Sequence, residues 1–264
     1  MKLQNLNNTR DRAEVDRGGG ALIVNADDWG RNRQTTDRIF ECVSAGAVSS
    51  VSAMVFMEDS QRAATIARIR GVDAGLHLNF TTDFSSPAVP LCLAEHQQKL
   101  VRYLRSRRLA QALFHPGLAT SFRSVVEAQL EEFSRLYGDR PRRIDGHHHM
   151  HLCTNVLLGR LLPAGTIVRR NFSFARGEKS LGNRLYRNLV DGMLARRHRT
   201  TDLFFSLPPL SPSRLESMFS LAAELVVEVE THPVNSDEYA FLTSGALSKW
   251  SGSVELSSFS RYFK

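Results

Sequence analysis

Two kinds of hydrophobic pattern alternate along the chain. Short apolar runs such as residues 21–25 (A-L-I-V-N) read as buried strands, whereas 35–45 sets Ile39, Phe40 and Val43 on one face at helical spacing and stops at Gly46. The same pair of signals recurs. Strand patterns fall at 49–55, 72–80, 142–147, 166–170, 203–206 and 225–231, and helix patterns at 60–69, 121–137, 155–162, 182–197 and 212–222. The clearest helix is 121–137, where Phe122, Val126, Gln129, Leu130, Phe133 and Tyr137 share a stripe that Gly138 ends. About seven strands in β/α alternation predict an α/β fold with a parallel sheet, either open or closed into a barrel.

Two stretches break the rhythm. Residues 1–20 have no apolar period and end in three glycines, so they are expected to form a disordered leader ahead of one domain spanning 21–264. Between Thr81 and Thr120, Pro87, Pro90 and Pro116 surround a short basic helical pattern; that connection is too long for a plain loop and predicts a lid or a substrate wall.

Composition narrows the class. With 42% hydrophobic and 23% charged residues the chain is neither disordered nor a small disulfide scaffold. No apolar run approaches the ~20 residues of a membrane span and the start lacks an export core, which makes the cytoplasm the expected compartment. Cys42, Cys92 and Cys153 are odd in number and lack C-x-x-C spacing, so they are expected to be buried thiols. Thirty-four Lys+Arg against 27 Asp+Glu give +7. Arginines cluster at Arg102, Arg105, Arg107 and Arg108 and again from Arg169 to Arg199. This excess admits nucleic acid, an anionic membrane or an anionic substrate. No nucleic-acid-binding motif accompanies it, which argues against the first.

Acids and histidines concentrate where three predicted strands end: Asn25-Ala26-Asp27-Asp28-Trp29-Gly30, Gly75-Leu76-His77, and Asp145-Gly146-His147-His148-His149-Met150-His151. In parallel α/β folds active sites are built at that edge. Paired aspartates alone fit a helix cap equally well. Four histidines in five residues behind an aspartate point instead to a divalent metal.

Together with V-E-V-E-T-H-P-V near residue 230, these motifs resemble the YdjC-like carbohydrate deacetylases over roughly residues 21–235. The resemblance implies a distorted TIM-like (β/α) barrel that removes acetyl groups from N-acetylated sugars with one divalent metal, Mg2+ in the first instance and Zn2+ in the second. It implies Asp28, His77 and His147 as metal ligands, Asp27 as catalytic base and His232 as general acid. Trp29 stands where the family usually has Phe, beside the expected metal.

Around this set Asp145, His149 and His151 are expected to contact substrate or orient ligands. Arg169 and Arg170 are expected either to orient the acid pair or to form surface salt bridges. Adjacent positions predict that Asp27 and Asp28 point in different directions, one to bind and one to work as base. The residue types also suit a metal-dependent phosphoesterase. In the 182–197 helix, Leu185, Leu189, Val190 and Met193 are expected to face the barrel, with Arg184, Arg187, Arg196 and Arg197 on or near the other side. That basic face suits either simple solvation or an anionic or lipid-linked sugar at a membrane surface. A homo-oligomer is compatible with all of this.

Overall fold

The computed structural model describes residues 19–106, 109–174, 180–251, 254 and 256–263. The leader up to residue 18, and Arg107 and Arg108, lie outside the described residues.

Strand β1 (Ala21–Trp29) is buried at every position and lies inside the sheet, paired on both sides. The chain then alternates through α1 (Arg33–Ser44), β2 (Ser50–Ala53), α2 (Ser60–Arg70), β3 (Ala74–Leu78), α3 (Leu91–Ser106), α4 (Ala119–Tyr137), β4 (Arg143–Gly146), α5 (Thr154–Leu158) and β5 (Ile167–Val168). It continues as α6 (Leu181–Ala195), β6 (Leu203–Ser206), α7 (Pro212–Ser220), β7 (Val226–Thr231), α8 (Ser236–Thr243), α9 (Ala246–Ser251) and α10 (Phe259–Tyr262). All strand pairs are parallel, in the order β5-β4-β3-β2-β1-β7-β6.

That order is sequential around a circle, broken only between β5 and β6. The two edges meet there through isolated bonds, Val168 N–H to the Arg199 carbonyl (2.9 Å) and Ser173 N–H to the Phe204 carbonyl (2.8 Å), rather than a ladder. The fold is therefore the distorted seven-stranded barrel expected, curled but incompletely closed. β5 shortens to two residues because its continuation, from Arg169 onward, leaves the sheet to build the site.

Local chemistry explains the element ends. The Asn32 side chain accepts the Thr35 N–H at 2.9 Å and caps α1, and Gly71 and Gly138 end α2 and α4 in the left-handed conformation. The 81–120 stretch contains a full 16-residue helix, α3, that buries Leu93, Gln97, Leu100 and Leu104 and packs on α4. Its i, i+4, i+7, i+11 spacing gives it one buried face, and it is longer than the short helical pattern expected there. Cys42 and Cys153 are buried, and burial pushes both thiols up to about 12. Cys92 is exposed in the first turn of α3, which corrects the expectation of a third buried thiol. Among the described residues no helix is long and apolar enough to cross a membrane.

Candidate metal centre and acid–base site

The site begins with a break in β1. Asn25 and Ala26 pair with Ser50 and Val51, but Trp29 pairs with Ala53, so one extra residue is bulged out and Asp28 takes φ +70°. A regular strand would send Asp27 and Asp28 to opposite faces. With the bulge both converge on His77, whose Nε2 lies 3.9 Å from Asp27 Oδ2 and 3.6 Å from Asp28 Oδ1. Beyond His77 their partners differ, His147 and Arg31 for Asp28 and Arg169 and Asn25 for Asp27, so the two carboxylates take different directions as adjacency predicts. Trp29 is correspondingly displaced into the hydrophobic core, fully buried, and presents no surface to a ligand.

The histidine run is shaped by a second irregularity. His148 and His149 both adopt the left-handed conformation, φ +53° and +58°, immediately after β4. Such consecutive residues are strained and turn the chain back on itself. A Cβ on Gly146 would approach the His151 backbone nitrogen to 2.9 Å, so only glycine admits the turn. His147 Nδ1 thereby comes to 2.9 Å from Asp28 Oδ1. His151 is buried and its Nε2 meets the Arg169 carbonyl at 2.9 Å. His148 is held by the Thr81 hydroxyl at 2.9 Å, and His149 packs edge-on against Phe172, which itself stacks on Phe204 at 4.5 Å. Burial keeps His149 neutral, its pKa lowered to about 3, and those of His148 and His151 to about 4.

Asp28, His77 and His147 each place one donor atom within 4.8 Å of the others. Among the described residues His77 Nε2 and His147 Nε2 are buried without a hydrogen-bond partner, and these two imidazoles are what Asp28 Oδ1 faces, at 3.6 and 2.9 Å. Imidazole nitrogens buried unpaired beside a carboxylate are costly unless a cation joins them. Arg31 takes the other Asp28 oxygen at 2.9 Å, leaving Oδ1 as the single donor. Burial opposes the charge on Asp28, but His147 and His77 hold its carboxyl well below the usual carboxylate range. One carboxylate and two imidazoles suit a divalent transition metal.

Asp27, His77 and Asp145 form a second such grouping. Its oxygens are already taken. Asp145 accepts His77 Nδ1 at 2.7 Å on one oxygen and Arg143, at 2.7 Å, and the Ser52 hydroxyl on the other. Asp145 therefore fixes the His77 ring with Nε2 aimed at Asp28.

Asp27 is gripped on both oxygens by the Arg169 fork, at 2.7 and 2.8 Å, and by the Asn25 amide at 2.8 Å. Burial resists its ionisation, yet Arg169 and His77 prevail and bring its pKa down to about 2. Arg169 is fully buried and also meets Glu228 at 2.7 Å, Asp145 at 3.1 Å and Glu230 at 3.3 Å. Burial raises the carboxyls of Glu228 and Glu230, the latter well above the usual range. Of the two roles expected for Arg170 the structure gives the salt bridge: it holds Asp191 and the Asp202 carbonyl, bracing the C-terminal part of α6 against the start of β6.

His232 follows β7, half-buried, on a turn clamped by Glu238, whose carboxylate accepts the His232 N–H at 2.8 Å and the Thr231 hydroxyl at 2.7 Å. Its imidazole is close enough to Asp28 to favour the ionised carboxylate.

Several contributors lie outside the sequence reading: Asn25, Ser52, Arg143, Glu228, Glu230 and Arg31. Arg143 reaches across β3 to the Val51 carbonyl at 2.6 Å, a path open only because residue 75 is glycine; a Cβ there would meet the guanidinium carbon at 2.6 Å. The signal was alternation: Asn25/Asp27, Arg143/Asp145 and Glu228/Glu230 all sit at i, i+2 and so share one strand face.

The YdjC-like protein family matches residues 21–252. A chitooligosaccharide deacetylase of Yersinia pestis (strain Pestoides F) is 31% identical over 233 residues, 85% of each chain. A mouse carbohydrate deacetylase is 33% identical over 141 residues, and a Serratia marcescens chitooligosaccharide deacetylase 34% over 132. These two alignments cover 51% and 50% of this chain but only 44% and 50% of those relatives, about half their length. In fold, a crystal structure from Enterococcus faecalis V583, described as a cellobiose-phosphate cleavage protein, superposes with TM-score 0.63 at 20% identity, covering 91% of this chain and 97% of that one. The family match spans nearly the whole barrel and includes each strand end that carries the site, and the chain belongs to the YdjC-like protein family.

Proposed function

We propose that this chain is a metal-dependent hydrolase that removes the N-acetyl group from an acetylated amino sugar. The observation that carries the reading is the convergence of Asp28, His77 and His147, from three separate strand ends, with the clamped carboxylate of Asp27 beside them. The names of the family relatives point to the same reaction class.

Asp28 Oδ1, His77 and His147 would hold the ion. A divalent cation there supplies polarisation of the amide carbonyl and acidification of the attacking water. Asp27, kept ionised and fixed in direction by Arg169 and Asn25, takes the proton of that water. His232, on its clamped turn, returns a proton to the departing amine nitrogen. Phe172 and the edge of His149 offer an apolar wall beside the mouth for the acetyl methyl or a sugar face. A two-metal phosphoesterase is disfavoured because guanidiniums and His77 already occupy the Asp27 and Asp145 oxygens.

The direct test incubates protein loaded with Zn2+, Mn2+ or Mg2+ with N-acetylated sugars and follows acetate release by mass spectrometry. Loss of one acetyl group is expected, and an inert panel alongside release of phosphate from phosphate esters would replace this reading with the second. Magnesium is the expectation from the resemblance, but two nitrogen donors favour zinc or manganese by affinity, which calorimetry ranks directly.

The general-acid role has its own check. His232→Ala is expected to lower kcat by about 10²–10⁴-fold with metal affinity unchanged. A near-wild-type kcat would remove His232 from the reaction.

Metal uptake should also be pH-dependent in a defined sense. Burial opposes protonation of His77, but Asp27, Asp145 and Asp28 outweigh it and raise its pKa. Below that raised value an incoming cation must displace a proton, so affinity rises with pH, by up to about tenfold per unit, and levels off above it. Calorimetry in buffers of different ionisation enthalpy reads the released proton; an affinity flat from about pH 6 to 8 would exclude His77 as a ligand.

A further inference from the structure

Helix α6 lies on the outer wall with its polarity reversed. Its barrel-facing side is formed by Val190 and Leu194, both buried. Leu185 and Leu189, expected to face inward, instead stand 72% and 60% exposed, in one row with Leu181 at 80%. The i, i+4, i+8 spacing makes them a continuous ridge, and Arg196 extends the same row beyond the last turn. A barrel helix normally turns polar residues to water. Three leucines on the solvent ridge are therefore unexplained by the fold.

At the C-terminal end of the ridge a groove of about 240 Å³ opens between α5 and α6. Its floor is apolar, with Leu157 and Met193, and its rim carries Arg160, Arg196 and Arg197. None of these three arginines has a carboxylate partner among the described residues. An apolar ridge running into an unpaired cationic groove is the pattern of a surface that meets apolar and anionic groups together.

From these features we infer that the outer face of α6 docks on an anionic lipid bilayer, the leucine ridge entering the acyl boundary and the arginine groove receiving phosphate headgroups. A second copy of the chain fits poorly. A two-fold contact would bring together two chains that each carry +7 and would leave the anionic requirement of the arginine groove unmet. A bilayer also accepts a convex single-helix ridge by depth, where an acidic protein would need a matching concavity. This inference does not depend on the deacetylase reading, since no residue of the ridge or groove belongs to the metal centre.

The test is sedimentation of the full chain with phosphatidylcholine vesicles, with and without phosphatidylglycerol, at low and high salt. The chain is expected to sediment with the anionic vesicles alone and to be released by salt. Leu185→Ser/Leu189→Ser, at exposed positions that leave the core intact, should lower the partition coefficient by about tenfold or more. Arg160→Gln, Arg196→Gln and Arg197→Gln should each lower binding to anionic vesicles by about fivefold. Failure to sediment with either vesicle, or wild-type binding by these variants, overturns the proposal. So does light scattering that shows a dimer dissolved by the leucine changes, or capture of the ridge by polyglutamate without binding to vesicles.

Discussion

Asp27→Asn is expected to lower turnover by about 10³-fold or more while the protein still takes up its divalent ion. The substitution keeps size and the hydrogen bond from Arg169 to the remaining oxygen, but removes the acceptor that draws the proton from water. The neighbouring change, Asp28→Asn, should behave differently, because Asp28 Oδ1 is the single carboxylate donor aimed at His77 and His147. Its loss should weaken metal affinity by about 10²-fold and take the rate down with it. Calorimetry on both variants separates the roles, and equal loss of metal would mean that the two carboxylates bind together and that the base lies elsewhere.

Arg169→Met is expected to destabilise the fold by about 3–5 kcal/mol at neutral pH, a large share of the stability of most domains. Arg169 is the cation common to Asp27, Asp145, Glu228 and Glu230, all of them buried. The sign with pH follows from Asp27. In the native protein its folded pKa, about 2, lies below the ordinary carboxylate value, so its contribution is present at neutral pH and is lost as pH falls through that value. Without Arg169 the same carboxyls are raised by burial. Their penalty is then greatest at neutral pH and shrinks as pH falls through the raised folded values toward the ordinary carboxylate range. Urea denaturation across a pH series should therefore show the gap between variant and parent closing on acidification, and a gap constant with pH would mean that the loss is one of packing alone.

The order of elements was readable because burial in a parallel barrel leaves short apolar runs for strands and 3.6-residue stripes for helices. Residues 21–25, 121–137 and 225–231 announce themselves in that way. The strand-end position of Asp27, Asp28, His77 and His147 follows from the same pattern, and their residue types restrict the chemistry to metal and acid–base work.

Tertiary structure decided what each of these groups faces. No local pattern places a bulge at Asp28 or left-handed backbone at His148 and His149, since both are paid for by contacts formed only when β1, β3 and β4 lie together. The alternating charges of V-E-V-E-T and R-I-D-G suit a strand with one wet face equally well. Closure of the sheet turns that face inward, and Arg169, arriving from β5, makes the burial of four carboxylates tolerable. The same closure fixes the rotation of α6, because Val190 and Leu194 fill the space against the barrel and leave Leu185 and Leu189 outside. Sequence alone determined which residue types reach the mouth of the barrel. Which of them become ligand, base, counter-ion or outer surface depends on long-range electrostatics and packing, which exist only once strands far apart in the chain share one interior.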